Sequence, residues 1–119
     1  MAVERISVGA LNKLLQGQAS PAICVIKFYS NTCDMCHALS EYYVDISRDY
    51  KDLYFFAFNV ADSPDLIEEL GVNGVPTISL IKAGSPGARL KILEDPDDPS
   101  ENTWYTDKYI RNFIDKEKQ

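Results

Sequence analysis

Ala22-Ile-Cys-Val-Ile-Lys-Phe-Tyr-Ser30, running directly into Asn31-Thr-Cys-Asp-Met-Cys36, is the stretch that decides the fold. Its first part is a nearly continuous apolar run, which reads as a central strand buried on both faces of a sheet. Its second part places Cys33 and Cys36 with two residues between them. From Cys33 to Tyr50, the residues Cys36, Leu39, Tyr43, Ile46 and Tyr50 recur in steps of three and four. That period describes a long amphipathic helix with Cys36 on its inward side. Backbone N–H groups at a helix start lack intrahelical acceptors and favour a thiolate. The thiolate is the attacking species in thiol–disulfide exchange, so this strand-to-helix junction points to redox chemistry.

The flanking sequence supplies the remaining elements. Val3–Ser7 reads as a short strand, and Ser7 can cap a helix over Val8–Gln16 whose Leu11, Leu14 and Leu15 share one face. Leu53–Val60 reads as a second buried strand. Ser63-Pro64 supplies an N-cap and an N1 proline for a short helix that ends at Gly71. Thr77–Lys82 is a third strand, turning through Gly84-Ser-Pro-Gly87 into Ala88–Leu93, and Asp107–Glu117 closes the chain as a helix packing Ile110, Phe113 and Ile114. The compact turn favours an antiparallel pair, and the helical crossovers upstream favour parallel pairing. The order βαβαβαββα predicts an α/β fold with a mixed central sheet of about five strands and helices on both faces. No internal repeat or long linker divides the chain, so residues 1–119 are expected to form one domain.

Composition narrows the function. At 119 residues and 45% hydrophobic content, the chain can build one core. Twelve basic against eighteen acidic residues give a net charge of −6 and a pI near 4.6, a surface that repels phosphate backbones and argues against nucleic-acid binding. No apolar run approaches membrane-spanning length, and the N-terminus lacks an apolar h-region, so a cytoplasmic protein with no membrane partner is expected. Three cysteines in a reducing compartment argue against a structural disulfide framework and for a catalytic or metal-binding Cys-x-x-Cys. Zinc needs four ligands, and only Cys24 and His37 could complete a set, with Cys24 inside the expected central strand. Cys33-Asp-Met-Cys-His37 also spells the c-type haem signature, but the chain has one histidine and Met35 lies inside the motif. Neither a metal nor a bound cofactor is expected.

Three segments resemble the thioredoxin family: Val25-Ile-Lys-Phe-Tyr-Ser-Asn-Thr-Cys-Asp-Met-Cys36, Phe58-Asn-Val-Ala-Asp62 and Gly71-Val-Asn-Gly-Val-Pro-Thr77. The resemblance implies a thioredoxin-like fold in which Pro76 is the cis proline beside the dithiol. It implies that Cys33 is the exposed nucleophile and Cys36 the buried resolving thiol. It also implies that the Val75 backbone pairs with an extended client strand, and that Thr32, Asp34 and Met35 border the client. The expected activity is dithiol–disulfide exchange on protein disulfides by a monomer, with a reductase or glutathione as electron donor. The competing class is a thioredoxin-like adaptor that binds without exchanging electrons.

The departures are informative. Thr32 stands where the family usually has tryptophan, and Asp34-Met35 replaces the common Gly-Pro. Asp34 should oppose thiolate formation at Cys33, whereas His37 and the helix start act the other way. The family's buried strand acid falls on Lys27, and its partner lysine near Ala57. If Lys27 points inward, desolvation favours its neutral amine, which could take the proton from Cys36. The alternative is a stem that snorkels and carries the ammonium to solvent. Glu94–Glu101 is an acidic, proline-containing loop. By the family layout it borders the dithiol, where an acidic rim would favour basic client segments, with Trp104 and Tyr105 supplying the aromatic surface absent at Thr32.

Overall fold

A computed structural model describes residues 3–17, 21–84 and 88–119. The elements in chain order are β1 (Val3–Arg5), α1 (Val8–Leu15), β2 (Ala22–Tyr29), α2 (Asp34–Asp49), β3 (Tyr54–Asn59), α3 (Pro64–Leu70), β4 (Thr77–Ala83), β5 (Arg89–Ile92) and α4 (Asp107–Glu117). A single 3-10 turn, Val60–Asp62, joins β3 to α3. Two helix starts follow the capping residues read from the sequence, Ser7 and Ser63, and Thr106 caps the last helix in the same way. Ser7, Ser63 and Thr106 each accept a backbone N–H at the third helical position. Gly71 ends α3 in the left-handed region, with φ +78°, which a side-chain-bearing residue adopts only at a cost.

The five strands lie in the order β1-β3-β2-β4-β5. β3 is parallel to both β1 and β2, β4 is antiparallel to β2, and β5 is antiparallel to β4. This corrects one expectation. The crossover through α3 does not give a parallel neighbour: β4 passes beyond β3, pairs with β2 and runs opposite to it. The expected strands are also trimmed, β1 to Val3–Arg5 and the last strand to Arg89–Ile92. Ile6 N–H still donates to Ala57, and Leu93 N–H to Ile78, but beyond those bonds the chain turns off the ladder. Three residues of the expected 84–87 turn lie outside the described residues.

Alternation along β2 divides the core. Val25 packs with Leu39, Tyr43, Ile46, Ile78 and Ile110 beneath α2 and α4, whereas Ile26 and Phe28 pack with Leu11, Phe58 and Ile81 beneath α1 and α3. Each such fully buried side chain contributes about 1.5–3 kcal/mol of transfer free energy, so the central strand is fixed from both sides. The Tyr43 hydroxyl, within the first layer, donates to the Phe56 carbonyl at 2.8 Å and lies 3.1 Å from that of Val25. It thereby ties α2 to β2 and β3. The packing holds the start of α2 at the end of the sheet where β2 leaves and β4 enters.

Candidate active site

Cys33 is the N-cap of α2, and the backbone N–H of Cys36 donates to its sulfur at 3.0 Å. An N–H aimed at sulfur binds a thiolate more strongly than a thiol, and the dipole of a sixteen-residue helix acts in the same direction. The sulfurs of Cys33 and Cys36 are joined in a disulfide across a Cα–Cα distance of 5.2 Å. The two are unequal in exposure: Cys33 is half-buried, and Cys36 is 1% exposed. The pair therefore has one sulfur a client can reach and one behind it.

The loop entering the helix is held from two sides. Asn59, buried at the end of β3, donates its amide to the side-chain oxygen of Asn31 at 3.2 Å, and its own oxygen accepts Ala61 N–H at 3.0 Å. The His37 ring Nε2 lies 3.1 Å from the Asn31 carbonyl. Sequence reasoning did not single out Asn31 and Asn59. The signal available was an Asx turn, an asparagine at a strand end two residues before a backbone donor.

Lys27 is the most unusual group at the site. Its side chain points inward beneath α2 and is 6% exposed, so it does not snorkel. Its Nζ donates to Ser40 Oγ at 2.8 Å, and Ser40 donates to the Cys36 carbonyl at 3.0 Å. The amine also lies 5.3 Å from the ring centre of Tyr43 and 5.6 Å from that of Tyr29. Burial lowers its pKa from the usual 10.5, and among the described residues no carboxylate forms an ion pair with it. Ala57 is its register partner on β3, so the strand opposite contributes no charge. Ser40 was also missed from sequence, although its place four residues after Cys36 puts it on the same helical face.

Beside the disulfide runs a groove of about 460 Å³. Met35 forms one wall, Val75 and the cis-linked Pro76 another, and Glu94, Asp95, Trp104 and Tyr105 the far side. The Thr77 hydroxyl donates to Gly74 at 2.6 Å and stiffens the Val75-Pro76 corner. Of the candidate bordering residues, the groove gathers Met35, Val75 and Pro76. Thr32 and Asp34 are exposed beside the disulfide but do not line the groove. In the acidic loop, Glu94 and Asp95 face the groove, whereas Asp97 and Asp98 are exposed outside it. Cys24 lies in register with Tyr54 and Ile81 in β2, buried as a core residue.

An accessible sulfur and a buried one, linked at a helix start beside a cis-proline corner, define a dithiol–disulfide oxidoreductase. The thioredoxin family profile matches residues 7–98. Among relatives, thioredoxin AMT13 of Alternaria alternata is 32% identical over 79 residues, covering 62% of this chain and 67% of that protein. Among solved structures, the Trx4 domain of ERdj5 superposes with a TM-score of 0.78 at 14% identity, over 100% of this chain and 97% of that one. Oxidised mitochondrial thioredoxin 3 of Saccharomyces cerevisiae gives 0.69 at 18% identity, over 96% and 93%. The chain belongs to the thioredoxin family.

Proposed function

We propose that the chain reduces protein disulfides, with Cys33 as nucleophile and Cys36 as resolving thiol. The unequal exposure of the two sulfurs carries this reading. Cys33 thiolate attacks a client disulfide, forms a mixed disulfide and releases one client thiolate. Cys36 then loses its proton and attacks Cys33, releasing the second client thiolate and leaving the Cys33–Cys36 bridge. Two electrons pass from the dithiol to the client, and a reductase or glutathione returns them. Lys27 is assigned as the acceptor for the Cys36 proton: burial lowers its pKa from the usual 10.5, no carboxylate among the described residues pairs with it, and its Nζ donates to Ser40 under the same helical turn. The Val75 backbone pairs with the client segment, while Thr32, Asp34 and Met35 border it. The protein works as a monomer in the cytoplasm, where a pool of reduced thiols keeps it supplied.

Insulin reduction with dithiothreitol as electron source tests the reading. The wild-type protein should accelerate turnover, Cys33→Ser should abolish the acceleration, and pre-reduced Cys36→Ser mixed with insulin after removal of dithiothreitol should accumulate a covalent adduct visible on non-reducing gels. A Cys33→Ser, Cys36→Ser double variant that still accelerates reduction would overturn it.

A further inference from the structure

The groove beside the disulfide has a chemical character of its own. Its lining includes the apolar Met35, which lies between the two cysteines in sequence, and Val75, together with the carboxylates of Glu94 and Asp95. Both carboxylates are exposed, and among the described residues neither takes part in an ion pair. Trp104, half-buried and with φ +67°, lines the same groove. A tryptophan in the left-handed region costs roughly 1–3 kcal/mol, so the surrounding bonds must impose it. Reciprocal backbone bonds with Ser100, each 3.0 Å, do so, and the indole N–H donates to Asp95 at 3.0 Å. The loop thus fixes a flat aromatic face in the groove and one carboxylate at its edge.

We infer that this groove is a specificity site for an arginine or lysine next to the client cysteine. The inference rests on the reductase reading above and names the class of client that reading leaves open. An aliphatic stem fits along Met35 and the Trp104 ring, and the cationic head then reaches Asp95 and Glu94. Stem burial, cation–π attraction and charge pairing all act on one side chain. An acidic residue at that place meets two like charges, and an apolar one strips water from two carboxylates without compensation. The net charge of −6 attracts basic clients from a distance, whereas the groove discriminates at contact.

The test uses three synthetic peptides, each carrying one cysteine as a mixed disulfide with thionitrobenzoate and flanked by arginine, glutamine or glutamate. Release of the coloured thiolate by pre-reduced protein gives second-order rate constants. The arginine peptide should react about tenfold faster than the glutamate peptide at low salt, the ratio shrinking as salt approaches about 0.5 M. In Glu94→Gln, Asp95→Asn, which keeps an oxygen acceptor for the indole, that ratio should fall to about twofold. Glu4→Gln, Asp52→Asn removes the same charge away from the groove, on the edge strand β1 and in the turn before β3, and should keep it. Equal rates for all three peptides, or equal loss of the ratio in both double variants, would overturn the groove while leaving the exchange chemistry intact. Failure of the protein to accelerate release from any peptide would overturn the exchange reading and this inference with it.

Discussion

Two sulfur environments lie about one strand apart in this molecule, and they could hardly differ more. Cys24 sits within β2, 1% exposed between Tyr54 and Ile81 in register, and burial pushes its thiol up to about 11. Cys33 follows the end of the same strand, where the chain leaves the sheet and a helix begins. There an N–H points at the sulfur and solvent reaches it. The side chains are identical, so the difference comes from position. A thiol held between strands has no donor to stabilise its anion, whereas one at a helix mouth has several. Nine residues of chain separate a buried thiol from one that a backbone donor and solvent both reach.

The largest consequence of this contrast is in alkylation. At pH 7 a thiol with a pKa near 11 is ionised to about one part in ten thousand, before its lack of access is counted. Iodoacetamide added to the reduced native protein should therefore label Cys33 at least about a hundredfold faster than Cys24, by mass spectrometry of the digest. Comparable labelling of Cys24 without denaturant would dissolve the distinction. Next in size is the role of Lys27. Lys27→Met should slow resolution of a preformed mixed disulfide at pH 7 by about tenfold or more, and shift the pH dependence of that step. A purely structural lysine would change stability and leave the pH profile in place.

The smallest effect is on alkaline stability. The native pKa of Cys24 is raised from its ordinary 9.0 to about 11, so the native state holds this proton more tightly than the unfolded chain. That contribution is fully present below pH 9.0 and is lost as pH rises through about 11. Tyr43, Tyr50 and Tyr105, also raised by burial, act with the same sign, whereas the lowered Lys27 acts with the opposite one. Urea midpoints for Cys24→Ala should accordingly fall less than wild type over that interval, and identical slopes would refute the assignment.

Much of the architecture was legible because it is local. The period of the apolar residues located α1, α2 and α4, and the read bounds of the last, Asp107–Glu117, match those observed. Proline, serine and glycine around residues 63–71 marked both ends of α3. What escaped depends on contacts between distant segments. Nothing in β4 itself says that it will cross beyond β3 and pair antiparallel with β2. Alternation puts Lys27 on the face it shares with Val25, yet only the packed helix shows that its amine meets Ser40 instead of water. The Asn31–Asn59 bond joins residues whose meeting depends on the register of two strands. Trp104 gave no warning of its backbone, since positive φ is ordinarily signalled by glycine or asparagine.

The reversal of β4 has a further consequence. Because that strand enters the sheet where β2 leaves it, the disulfide and most of the groove beside it come from separate stretches of chain. Residues 33–36 carry the disulfide, while Val75, Pro76, Glu94, Asp95 and Trp104 line the groove beside it. Such a division makes the protein modular at its rim: a substitution in the segment that walls the groove leaves the helix mouth, encoded elsewhere, untouched.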